Sequence, residues 1–204
     1  MTVTSKNGKA GKIHLYIDGE YRLTVSDVFW RSGGIRDGDY IDEEGLAYLM
    51  GEAGFYHAYQ NGIRLLSLRS YGKREMFLKL RRKHDEESAQ RVADEFEKQG
   101  LIDDSAYAKE LYEYLYNRKN WDTRRIRLEL RARGISPEII EASLCEDIDN
   151  DPICRIIMLL NTKYSASLSD EKGKRRVFSS LMRMGYTRSD ILSAFSQAGV
   201  SLGE

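Results

Sequence analysis

The sequence predicts a mainly α-helical protein, built as tandem three-helix repeats in an elongated array and preceded by a small N-terminal region containing a β-hairpin. Three observations carry that prediction. Alternating β-branched and aromatic residues are confined to the first quarter of the chain. Beyond about residue 60 apolar residues recur at helical spacing between polar, glycine-marked breaks, and this helical part matches itself at a fixed offset.

The first elements follow from local chemistry. "KIHLYIDGEYRLTV" places two alternating runs around Asp18-Gly19, a dipeptide that supplies the positive φ angles of a tight hairpin turn, so strands are expected at about 12–17 and 20–25. A short helix is expected at "SDVFW" with Ser26 as its cap, then a loop at "GGIRDGD", then a helix entered at "EEGLAYLM" behind Asp42.

The repeat organises the rest. "LRARGISPEIIEASL" (130–144) lies over "LMRMGYTRSDILSAF" (181–195) without a gap at an offset of 51 residues, pairing Leu130 with Leu181, Gly134 with Gly185, Ile135 with Tyr186, Ile140 with Ile191 and Leu144 with Phe195. "LRRKHDEESAQRVA" (80–93) fits the same frame with one residue removed near the helix break, where Lys83-His84 stands in place of glycine. Each unit therefore reads as a leading helix, a basic helix and a helix after the break. Glycine suits the break because a helix C-terminus often needs a left-handed residue. Ser136-Pro137 and Thr187 then restart the chain as caps. The expected divisions are 1–59 for the hairpin region and 60–102, 103–149 and 150–204 for the three repeats.

Composition narrows the function classes. The chain has 204 residues, enough for a sizeable core, and its 32 basic and 32 acidic side chains cancel overall. Their distribution is uneven, with balances of −3 over 1–60, +5 over 61–136 and −2 over 137–204. Cys145 and Cys154 lack metal-ligand spacing and read as core thiols of a protein in a reducing cytoplasm. No apolar run approaches the roughly 20 residues of a membrane helix, and the N-terminus lacks a signal-peptide core, so a soluble cytoplasmic monomer is expected, with no membrane partner.

The basic helices are the candidate site. In "DTRRIRLELRAR" helical geometry puts Arg124, Arg127 and Arg131 in one arc and Ile126 with Leu130 on another side. A solvated face is the ordinary reading of such a pattern. Yet "RSYGKREMFLKLRRK" (69–83) and "KGKRRVFSSLMRM" repeat it at equivalent places, which favours a partner surface. The candidate binding residues are Arg69, Lys73, Arg74, Arg81 and Arg82 in the first repeat, Arg118, Arg124, Arg125, Arg127 and Arg131 in the second, and Lys174, Arg175 and Arg176 in the third.

Other motifs point to structure. In "YAKELYEYLYNR", Tyr107, Leu111, Tyr114 and Leu115 form the stripe of a buried face, with Tyr112 and Tyr116 as a second pair, and core packing is preferred to base stacking. His14, His57 and His84 stand apart from one another, leaving no zinc framework, and "GKAGKI" lacks the spacing of a phosphate loop and reads as a flexible tail. The carboxylates of "LIDDSAY" are read as helix caps. No catalytic constellation, metal site or cofactor site emerges, so a non-enzymatic binding protein is expected.

"GLIDDSAYAKELYEYLYNRKNWDTRRIRLELRARGISPEIIEASL" closely resembles the second repeat of RecX regulatory proteins, in its Gly-Leu-Ile-Asp-Asp entry, its Arg-Ile and Glu-Leu helix and its Gly-Ile break. "YIDGEYRLTVS", followed by "GIRDGDYIDEE", resembles the strand-bearing N-terminal extension of some members. The likeness runs from about residue 12 to 198. It implies a curved array of repeats that lies in the groove of the RecA–DNA filament, where single-stranded DNA is within reach. Recombinase, ATPase and coprotease activities would fall, a regulatory role in DNA repair, homologous recombination and the SOS response. The alternative is a direct nucleic-acid binder with helix-turn-helix-like units, against which the neutral overall charge argues.

Overall fold

The structure, a computed structural model, describes residues 1–144 and 151–201. The chain divides into two compact units, Met1–Ile102 and Asp103–Glu204.

The first unit opens with an antiparallel sheet of three strands, β1 (Val3–Asn7), β2 (Lys12–Ile17) and β3 (Glu20–Ser26), in the order β1-β2-β3. Its period-two pattern sorts the faces: Val3, Ile13, Leu15, Ile17 and Val25 point inward and are buried. Asp18 and Gly19 both take positive φ, 49° and 84°, and close the β2–β3 hairpin as expected. Ser26 caps α1 (Asp27–Ser32) through Phe29 N–H, and Asp42 caps α2 (Glu43–Leu66) through Gly45 N–H.

Helix α2 serves two cores. Its first turns lay Leu49 and Ala53 on the sheet beside Phe29 and Trp30. Further along, Ala58 joins Met76, Leu80, Val92 and Phe96 from α3 (Lys73–Leu80) and α4 (Glu86–Lys98). At Gly62 the Phe96 ring lies so close that any side chain would collide with it.

The second unit holds two three-helix groups, each with its own core. One comprises α5 (Asp104–Glu113), α6 (Thr123–Ala132) and α7 (Pro137–Leu144), packed around Tyr107, Tyr112, Leu115, Ile126, Leu130, Ile135 and Ile140. The other comprises α8 (Pro152–Asn161), α9 (Glu171–Arg183) and α10 (Arg188–Gln197), packed around Ile156, Leu160, Val177, Leu181, Tyr186, Ile191 and Phe195.

The repeat pairs expected from sequence occupy equivalent places. Leu130, Leu181, Ile140 and Ile191 are each 0% exposed. Gly134 and Gly185 sit at φ 85° and 98°, and in each group the next residue's N–H reaches back to the leucine carbonyl, Ile135 to Leu130 at 3.2 Å and Tyr186 to Leu181 at 3.3 Å. In the first unit the α3–α4 break needs no glycine. Lys83 and His84 both donate to the Leu80 carbonyl without entering the left-handed region.

Three sequence expectations are corrected. "GKAGKI" is no tail: β1 precedes it, and Ala10 and Gly11, at φ 57° and 68°, turn the chain into β2. β1 escaped notice because Val3 is the one buried apolar residue in "VTSKN". Cys154 is exposed, on the polar side of α8, where its thiol donates to Asp151 Oδ2 at 3.2 Å; Cys145 lies outside the described residues. Tyr114 is 47% exposed, whereas Tyr112 is 4%. The buried arc of α5 is centred on Tyr107, Ala108, Tyr112 and Leu115, which leaves Tyr114 at its edge. There the helix widens into a π-turn (Tyr114–Arg118) that closes with Lys119 N–H on the Tyr114 carbonyl.

Candidate functional site

The basic residues lie on the middle helices α3, α6 and α9 and on the segments that enter and leave them. The same local logic makes each a helix with one buried stripe: Met76 and Leu80 in α3, Ile126 and Leu130 in α6, Val177 and Leu181 in α9. The cations take the opposite side. The fold nonetheless divides them into two classes that sequence could not separate.

One class is engaged internally. Arg69 forks onto Glu75, with the shorter contact at 2.6 Å, and lies 3.7 Å over the Tyr71 ring. Lys73 bridges Asp94 and Glu97, each at 2.7 Å, which holds its ammonium above the usual lysine range and fastens α3 to α4. Arg81 pairs with Glu86 at 3.2 Å. Arg127 makes two parallel bonds to Glu141 at 2.9 and 3.0 Å, tying α6 to α7. Arg125 lies 3.7 Å over the Trp121 ring, and Lys174 reaches Glu171 at 2.6 Å and the Ser201 carbonyl at 2.8 Å.

Arg124 is the most constrained of these. Its Nε donates to Asp122 Oδ1 at 2.8 Å, and its Nη2 donates to Asp190 at the start of α10. Asp122 is 4% exposed, and its backbone N–H donates to the Met184 carbonyl at 2.9 Å. Gly185 completes the joint, because a Cβ there would stand 2.5 Å from Arg125 Cβ. The hydrogen bonds that Arg124 donates to Asp122 and Asp190 raise its pKa further. For Asp190, burial pushes the carboxyl upward, but the bonds from Thr187 and Arg124 outweigh it and hold it below its ordinary value. Tyr186, buried beside this joint, has its phenol pushed up to about 12 by desolvation. Arg124 therefore fastens the α5–α7 group to the α8–α10 group.

The other class is presented outward. Arg74, Arg82, Arg118, Arg131 and Arg176 are exposed, and none of them makes an ion pair among the described residues. Arg175 is also exposed, and with Glu171, Lys172, Arg176, Ser179 and Arg183 it lines a shallow groove along α9.

Two residues on this surface escaped the sequence reading. Leu78 and Leu128 are 45% and 64% exposed in the middle of α3 and α6. Each lies four residues after an arginine and three before another, so their place in the arginine arc was available from helical angles alone.

Among the described residues no group of His, Cys, Asp and Glu gathers as a metal site, and no helix is long and apolar enough to cross a membrane.

Comparisons with known proteins agree with the three-helix organisation. A family model described as RecX, second three-helix domain, matches residues 103–144. The regulatory protein RecX of Trichlorobacter lovleyi is 32% identical over 139 residues, covering 66% of this chain and 90% of that protein. The regulatory protein RecX of Clostridium acetobutylicum is 26% identical over 197 residues, covering 93% of this chain and 91% of its relative. Among solved structures, a crystal structure of regulatory protein RecX superposes with a TM-score of 0.65 at 20% identity, covering 98% of this chain and 97% of the other. RecX from Lactobacillus salivarius gives a TM-score of 0.55 at 21% identity over 72% of this chain and 98% of its own.

Proposed function

The chain belongs to the RecX family of regulatory proteins, and from that premise we propose that it binds the RecA–DNA filament and restrains it, lowering strand exchange, ATP turnover and coprotease activity without catalysing a reaction. The observation that supports this reading is the recurrence of outward cations on the middle helix of successive repeats. Arg74, Arg124 and Arg175 stand at matching positions, and Arg81 and Arg131 match again two turns further along the same face; of these Arg74, Arg131 and Arg175 are presented outward, one in each repeat, while Arg124 and Arg81 are held by the carboxylates of Asp122, Asp190 and Glu86. A surface repeated along one chain suits a partner repeated along a polymer, because several weak contacts then act together.

The mechanism rests on charge and geometry. Exposed guanidinium groups can fork onto carboxylate or phosphate oxygens, and bonds of this kind are worth roughly 1.5–3 kcal/mol each where water is excluded. The internally paired cations hold the middle helices in place, so that the presented ones keep a fixed spacing within each repeat.

A pull-down compares three baits: RecA alone, RecA on single-stranded DNA with nucleotide, and single-stranded DNA alone. Retention chiefly on the assembled filament is the expected result. Retention on DNA alone, with no gain from RecA, would replace this reading with direct nucleic-acid binding.

A further inference from the structure

We infer that Leu78 and Leu128 are anchor residues of the binding surface, and that what they seat against is protein: an apolar hollow rimmed by carboxylates, offered repeatedly by the subunits of a polymer. This rests on the proposed filament binding and states which component of the filament the middle helices meet.

The geometry is duplicated. On α6, Arg124, Leu128 and Arg131 follow at i, i+4 and i+7, within one narrow arc; on α3 and its C-cap, Arg74, Leu78 and Arg81 do the same. In each case the stripe that fills the core is elsewhere on the helix, with Met76, Leu80, Ile126 and Leu130 all 0% exposed. Neither leucine is therefore needed inside its own repeat. A leucine that is 64% exposed at mid-helix, matched by one that is 45% exposed at the equivalent place of another repeat, leaves apolar area unburied at two corresponding points.

The neighbours select the partner's chemistry. Arginines stand one turn to either side of each leucine; Arg81 and Arg124 are paired within the chain, but Arg74 and Arg131 have no ion pair among the described residues, so each leucine keeps one outward arginine beside it and the complementary surface is acidic there. Nucleic acid meets half of this requirement. Phosphates satisfy arginine, but a backbone of phosphate and sugar offers no apolar hollow for leucine; α6 carries no aromatic ring, and the one ring on α3, Phe77, packs against the core with the Arg81 guanidinium 5.9 Å over it, so neither helix offers an open platform for base stacking. An apolar centre with a polar rim is instead the usual make-up of a protein–protein contact, where arginine is also enriched. α9 departs from the pattern, with Ser179 at the leucine position, so the third repeat lacks this anchor.

The test replaces both anchors, as Leu78→Gln with Leu128→Gln, and measures three properties: affinity for RecA filaments assembled on single-stranded DNA, affinity for the same DNA alone, and thermal melting. Glutamine has nearly the helix propensity of leucine, so the parent melting profile is expected. Filament affinity should fall on the order of tenfold for each leucine lost, while binding to bare DNA stays at the parent level. The companion variant Leu78→Met with Leu128→Met keeps an apolar side chain and should retain most of the affinity. It also separates loss of an anchor from loss of fold. If the glutamine variant binds filaments as the parent does, or loses filament and bare-DNA affinity equally, the anchor assignment is overturned while filament binding stands. If the parent chain itself fails to bind filaments, both fall.

Discussion

Arg124 and Arg131 lie in the same arc of α6, yet they do different things. Helical angles predict the shared arc; they cannot reveal that Asp190, 66 residues away, closes on one of the two. Replacing Arg124 with alanine leaves the buried Asp122 carboxylate without its guanidinium partner. We expect a loss of about 1–2 kcal/mol, a range kept low because the arginine side chain is itself 45% exposed and screened. Arg131→Ala should stay within about 0.5 kcal/mol of the parent. Chemical denaturation measures both, and equal losses would mean that the joint at Asp122 and Asp190 contributes nothing. Asp190 adds a pH dependence. Its carboxyl ionises more readily folded than unfolded, so its contribution is present above the ordinary value of 3.8 and is lost as the pH falls through that value and below. Asp190→Asn should therefore be less stable than the parent at neutral pH and lose less on acidification. Parallel acid profiles would contradict the assignment.

At the scale of elements, the helical pattern is legible in the sequence wherever a period of 3.6 residues and a cap coincide. Asp42, Asp103 and Thr187 each accept backbone N–H groups at the helix starts expected of them. The 51-residue match alone places the two left-handed glycines and the apolar residues that follow them. It could not place β1, whose polar face dominates five residues, nor the π-turn that ends α5, since a widened turn has no residue signature. The equivalence of cores makes a quantitative expectation. Leu130→Ala and Leu181→Ala, each at a side chain with 0% exposure, should both cost about 2–5 kcal/mol, and by similar amounts, because they remove the same contact from two copies of one design. Denaturant midpoints check this. A cost under about 0.5 kcal/mol at either site, as for a surface residue, would mean that the repeat alignment is wrong there.

At the scale of the whole molecule, sequence sufficed for fold class and for locating the basic helices, because both depend on local periodicity repeated along the chain. It did not suffice to sort thirteen candidate cations into those that hold the repeats and those that face outward, because that depends on which carboxylates folding brings near. Filament binding is assigned to the outward set. Its most direct test is RecA-promoted strand exchange in the presence of the parent chain and of the double reversal Arg74→Glu with Arg131→Glu, two exposed positions without an internal ion pair among the described residues. The parent should suppress exchange, and the reversed variant, with an unchanged helical circular dichroism and melting profile, should not. Suppression by the reversed variant equal to that of the parent, at both low and moderate salt, would contradict the account.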